Sequence, residues 1–156
     1  MRPLPFREPL LRANATENVF DRAVNYVETG AVRWLVRRGE ALAAEVRGSE
    51  WKPYQVRVTL DGEGVREVRC SCPYDWGGWC KHAVAALLVA LDDPPSIEER
   101  PPLGETLAAL EQEKLADLLS ALADEHPELL AEIEGRINPA WVRPAQPEDE
   151  WGPEGW

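Results

Sequence analysis

At 156 residues, 44% of them apolar and 29% charged, the chain can build one ordinary core plus an appendage and is not disordered throughout. Its formal charge of −11 repels phosphate, which excludes strong non-specific nucleic-acid binding by the intact chain. The charge is uneven: residues 92–156 carry 17 acidic and 4 basic side chains, while residues 31–69 carry 6 and 8, so any nucleic-acid contact belongs to the first half.

The first stretch, residues 1–14, reads as a proline-rich arm. It lacks the apolar run of about 7–15 residues that a signal peptide needs. The longest apolar run, Ala83 to Leu91, falls far short of the roughly 20 residues of a membrane span. The expectation is a soluble cytoplasmic protein whose three cysteines are thiols or metal ligands.

Asn14, with Glu17 three residues on, marks a helix start. Val19, Phe20, Ala23, Val24 and Val27 recur at helical spacing, and Gly30 stands where a C-terminal cap would, which predicts a helix over 15–28. The period then changes to two. Val32, Trp34 and Val36 alternate with Arg33, Leu35 and Arg37; Leu42, Ala44 and Val46 follow the turn at Arg38-Gly39-Glu40. Tyr54, Val56, Val58 and Leu60 form a third run, and Asp61-Gly62-Glu63-Gly64 turns the chain into Val65 to Cys70. Four short strands of this kind predict a small antiparallel meander.

Residues 79–91 return to helix, apolar on every side and therefore buried. Asp92-Asp93-Pro94-Pro95 ends it, and residues 94–103 read as a linker. Leucines from Leu107 to Leu122 predict a helical hairpin or kinked helix, broken at His126-Pro127 and followed by one short helix with Leu129, Leu130 and Ile133. His126 reads as a helix C-terminal residue favoured by the dipole. Residues 138–156, rich in proline, acid and tryptophan, read as a disordered tail. The fold class expected is α+β: an N-terminal helix, the meander and a metal-anchored helix over 15–93, an acidic helical extension over 104–137, and the tail.

All three cysteines lie in one segment, Cys70-Ser71-Cys72-Pro73-Tyr74-Asp75-Trp76-Gly77-Gly78-Trp79-Cys80-Lys81-His82. Cys-x-Cys, seven residues, Cys-x-His supplies three thiolates and an imidazole, a common closed set for structural zinc. On a strand Cys70 and Cys72 face one side; Pro73 stops the ladder; Gly77-Gly78 let the chain turn back. Cys80 and His82 then fall at a helix start, where the dipole favours a thiolate. A disulfide would leave one cysteine over, and a nucleophilic Cys80 with His82 as base lacks an orienting third group. With four protein ligands the metal has no open position, and the chain reads as non-enzymatic.

At this point the sequence resembles the SWIM-type zinc finger family. The likeness is carried by Cys70-x-Cys72-Pro73-Tyr74-Asp75, Gly77-Gly78 and Cys80-Lys81-His82-Ala83-Val84-Ala85. Phe20, Tyr26, Gly30, Val32, Gly48-Ser49 and Tyr54 look like the N-terminal part of bacterial members, and 104–133 is similar to a helical extension some carry. The resemblance implies one zinc ion on Cys70, Cys72, Cys80 and His82. It also implies binding of DNA or protein, since SWIM domains occur in chromatin-remodelling-type ATPases, transposases and ubiquitin-ligase-type proteins. No ATPase activity carries over, because no Gly-x-x-x-x-Gly-Lys-Ser/Thr loop is present.

Candidate partner-binding residues are Trp76, Trp79, Arg33, Arg37, Arg57, Trp151 and Trp156. Trp76 and Trp79 either cover the metal core or form an exposed platform. Arg33, Arg37 and Arg57, with other strand arginines, form either a basic strip for phosphate or a solvated face interleaved with glutamates. Lys81 either offsets the net −1 charge of a zinc with three thiolates or is simply solvated. The leading expectation is a zinc-stabilised protein-interaction module, an accessory subunit of a larger nucleic-acid-processing complex. The runner-up is a DNA- or RNA-binding protein autoinhibited by its acidic extension.

Overall fold

The computed structural model describes residues 3–141, the side chain of Trp141 excepted. The chain divides into one unit over Met1–Glu105 and a second from Thr106 onward.

The first unit is a sheet covered on one face by helices. Its strands are β1 (Val32–Arg38), β2 (Ala41–Val46), β3 (Tyr54–Leu60), β4 (Val65–Cys70) and β5 (Ile97–Arg100), in the order β4-β3-β2-β1-β5. The first four form the expected antiparallel meander, and β5 adds a parallel edge beside β1. Within residues 94–103, expected to be a linker, Ile97–Arg100 join the sheet, with Ile97 paired to Leu35 and buried.

The N-terminal stretch is likewise more than an arm. Helix α1 (Glu8–Asn14) carries Pro9 in its first turn, where the missing N–H costs nothing. Leu11 is fully buried and Phe6 nearly so. Asn14 closes this helix, its Nδ2 donating to the Leu10 carbonyl. The next helix, α2 (Glu17–Glu28), starts instead at Thr16, whose hydroxyl accepts from the Val19 N–H. Helix α3 (Lys81–Asp92) buries His82 through Leu88 and Ala90 between α2 and the sheet, as its all-round apolar pattern requires.

β1 departs from the simple alternation. Its pairing with β2 slips between Val32 and Trp34, so the residues after Arg33 change sides. Leu35 opposite Ala44 and Arg37 opposite Leu42 now share the core face, while Trp34 stands outward and 41% exposed. Arg37, expected on the polar face, is 2% exposed; its Nε donates to the Gly39 carbonyl and Nη1 lies 3.9 Å from Glu99 Oε1.

In the second unit α5 (Gln112–Glu125) and α6 (Pro127–Ile137) follow α4 (Leu103–Ala108), which crosses the division. His126 caps the end of α5 and lies 3.4 Å from Glu128 through Nδ1. The expected tail lies mostly outside the described residues. Among those described, no helix is long and apolar enough to cross a membrane.

Candidate metal centre

The four candidate ligands are assembled by the end of a strand, a glycine turn and the start of a helix. Where β4 ends, Ser71 N–H donates to the Gln55 carbonyl and Gln55 N–H donates back to Ser71 Oγ. This reciprocal pair fixes the chain between Cys70 and Cys72. The loop then turns through Gly77 (φ +85°) and Gly78 (φ +70°), a left-handed conformation that L side chains rarely adopt. Tyr74 donates its hydroxyl to the Gly77 carbonyl, and Trp79 N–H donates to the Asn14 carbonyl at 2.7 Å, so the end of α1 holds the loop. Cys80 caps α3 and His82 lies in its first turn.

The donor atoms of Cys70, Cys72, Cys80 and His82 all lie within 4.8 Å of one another. His82 Nδ1 faces Cys70 Sγ at 3.9 Å. Zn–S bonds of about 2.3 Å and Zn–N bonds of about 2.0 Å at tetrahedral angles imply donor separations of about 3.5–3.8 Å. The cluster therefore fits one zinc ion with shifts of an ångström or less at its widest edge. Cys80 and His82 are buried, while Cys70 and Cys72 are half-buried.

Before any metal enters, the three thiols divide one negative charge among themselves. The Cys70 thiol donates to Cys80 sulfur and, with His82 adding to the effect, lowers the Cys80 pKa to about 4. The same hydrogen bond, with burial, pushes Cys70 up, and burial pushes Cys72 up. Zinc loading must displace the retained thiol protons.

Residues from outside the Cys–His segment hold the imidazole. Tyr54 lies over His82 at 4.3 Å between centroids, and Tyr26 meets it edge-on at 5.3 Å. Gly48 backs the same ring: a Cβ there would overlap the Tyr54 ring and reach within 3.1 Å of His82 Nε2. That nitrogen is buried without a hydrogen-bond partner among the described residues. Sequence reasoning marked Tyr26, Gly48 and Tyr54 only as positions of resemblance. Their common target is the imidazole, which sequence separation conceals.

The other candidates scatter. Trp79 packs against the core, whereas Trp76 is 86% exposed. Arg33 pairs with Glu45 at 3.1 Å, and Arg57 lies opposite Arg69 on the outer face of the sheet. Lys81 sits over the Tyr26 ring at 5.1 Å. Trp151 and Trp156 lie outside the described residues.

The chain is similar to known proteins. The chain is 27% identical over 126 residues to the zinc finger SWIM domain-containing protein 8 homolog of Drosophila melanogaster. It is 28% identical over 130 residues to zinc finger SWIM domain-containing protein 8 of Homo sapiens and of Mus musculus. Each alignment covers 80% of this chain but only 6–7% of the relative, so the chain spans a small fraction of their length. No solved structure matches it. The SWIM zinc finger family model matches residues 54–91, from the start of β3 through nearly all of α3. That stretch is a SWIM zinc finger, with Cys70, Cys72, Cys80 and His82 forming a cluster able to hold one zinc ion.

Proposed function

We propose that the chain is a non-enzymatic protein-interaction module, built on one structural zinc, that serves as an accessory component of a larger nucleic-acid-processing assembly. The carrying observation is that no described side chain from Thr106 to Ala140 is buried. Leu118, Leu119, Leu122, Leu130 and Ile137 are 37–69% exposed on α5 and α6. Helices of 14 and 11 residues are marginal on their own in water and normally depend on burying an apolar face. This face calls for a partner. Residues 106–141 carry 8 acidic and 2 basic side chains, a net of −6, which disfavours both nucleic acid and a second copy. A protein groove that is apolar with a basic rim fits it. Four protein donors filling a tetrahedron support a structural rather than catalytic zinc.

The test is affinity capture of the full chain from its source cells, beside Leu118→Asp/Leu122→Asp. Both leucines are exposed, so zinc content should be equal. The unsubstituted chain should retain a stoichiometric protein that the variant loses. Equal recovery by both, or no protein from either, rejects the reading.

One observation favours nucleic acid as a second reading: Arg57 and Arg69 face each other on the outer side of the sheet, both exposed. Against it, Arg69 is paired with Glu67 and Arg33 with Glu45, which leaves a mixed face rather than a basic strip.

A further inference from the structure

We propose that a cleft beside the zinc centre binds a peptide segment that pairs an aromatic side chain with a carboxylate. The cleft has a volume of about 260 Å³ and opens onto the metal centre, with the ligands Cys72, Cys80 and His82 in its lining beside Arg22 of α2, Ser49, Tyr54, Tyr74, Trp76 and Lys81. Cofactor and small-molecule sites usually occupy about 300–1,000 Å³. This one takes one or two side chains and is too small for a nucleotide.

Two observations define the ligand's chemistry. Arg22 and Lys81 are the cations of the cleft, and among the described residues neither forms an ion pair with a carboxylate. Asp21 shares the adjoining hollow with both but pairs with neither. Against the net −1 of a zinc with three thiolates, the two cations leave one positive charge, which favours an anionic group, and arginine favours a carboxylate held through two oxygens. Next, Trp76 stands 86% exposed at the cleft with Tyr74 and Pro73 beside it. An exposed indole on a loop that its own neighbours hold fixed is the kind of anchor that seats an aromatic ring.

The inference deepens the protein-interaction reading but uses no residue of α5 or α6, so the two fail separately. The experiment is a nuclear magnetic resonance titration of the zinc-loaded full chain with acetyl-Gly-Phe-Asp-Gly-amide, following the Trp76 indole N–H. Its comparisons are acetyl-Gly-Phe-Asn-Gly-amide and uridine monophosphate. Saturable shifts are expected with the acidic peptide, about tenfold weaker binding with the neutral one, and weaker binding still with the nucleotide. Arg22→Gln/Lys81→Gln should weaken the acidic peptide by about tenfold at unchanged zinc content, leaving the neutral peptide unaffected. Trp76→Ala, at an exposed position, should weaken both peptides. The Leu118→Asp/Leu122→Asp chain should bind as the unsubstituted one does. Absence of saturable shifts, equal binding of the two peptides, or tighter binding of the nucleotide overturns the proposal. So does undiminished binding by the Arg22/Lys81 variant.

Discussion

Gly78→Ala tests whether the zinc loop is braced by the N-terminal helix. Gly78 has φ +70°, and a Cβ there would stand 2.5 Å from the Asn14 carbonyl oxygen, the acceptor of the Trp79 N–H. The left-handed conformation costs an L residue about 1–2 kcal/mol. Relieving the overlap separates the loop from Asn14 and forfeits a hydrogen bond worth about 0.5–1.5 kcal/mol net, so the total is about 1.5–3.5 kcal/mol. Cys80 lies two residues on, and the strain opposes the conformation that closes the site. At 1.4 kcal/mol per tenfold, zinc affinity should fall by roughly 10- to 300-fold. Gly77→Ala is the control: its φ is +85° but nothing lies within 4 Å of the added carbon, so backbone strain alone should cost about 1–2 kcal/mol. Competition with a chromophoric chelator at pH 7 measures both, and circular dichroism checks that the fold persists. Equal losses in the two variants would refute the brace.

The site's proton inventory gives a second test. With Cys80 lowered to about 4, and Cys70 and Cys72 raised above their ordinary 9.0, the metal-free cluster carries one thiolate at pH 7. Zinc loading should then release two protons, read by calorimetry in buffers of different protonation enthalpy; three would mean that the cluster does not pre-exist. By the same sign, zinc affinity falls as pH drops, with about two protons displaced per ion above pH 4 and about three below it, where Cys80 also carries a proton. Strong chelation removes stabilisation of order 10 kcal/mol, similar to the whole stability of a small domain. Amide protection over residues 60–91 should vanish while α5 keeps its own exchange rates; an unchanged dichroism spectrum after verified zinc loss contradicts this. Arg37→Ala should destabilise the first unit by about 2–3 kcal/mol in urea, through lost packing and the unsatisfied Gly39 carbonyl. Glu99→Gln, 3.9 Å away on a side chain 44% exposed, should cost less than about 1 kcal/mol. Residues 1–105, with 14 basic and 16 acidic side chains, should not bind single-stranded DNA at low salt, and salt-sensitive binding abolished by Arg57→Gln would favour the nucleic-acid reading instead.

The metal cluster was legible because it is local: four donors within 13 residues, between a strand period and a helix period. The meander was legible for a related reason, since tight turns between period-two runs leave few alternatives. What failed depended on partners distant in the chain. Val32, Trp34 and Val36 alternate as convincingly as Leu35 and Arg37, and only the slip at Arg33 selects the second set for the core. β5 offers one apolar residue, Ile97, among charges and prolines. Its strand character comes from the edge of β1, which no local pattern contains. The prolines of residues 1–14 suggest an arm, although the first turn of a helix tolerates Pro9.

The same contrast bears on why a finger of this size sits inside a larger fold. Its ligands come from one short segment, yet the imidazole is walled by Tyr26 of α2, Tyr54 of β3 and Gly48 between strands, and the loop is held by Asn14 of α1. A zinc site that needed only its ligands would leave those positions free to vary. Because α1, α2 and β3 each touch either the ring or the loop, metal binding and packing of the unit restrain the same coordinates. The strand end at Cys70 cannot shift against the helix start at Cys80 without disturbing either the zinc or the aromatic pair around His82. The Arg22, Trp76 and Lys81 walls of the cleft are mounted on those same elements. If the cleft binds as proposed, the zinc fixes the shape of that surface by holding the sheet and helix that carry it, and a metal without an open coordination position would still govern binding.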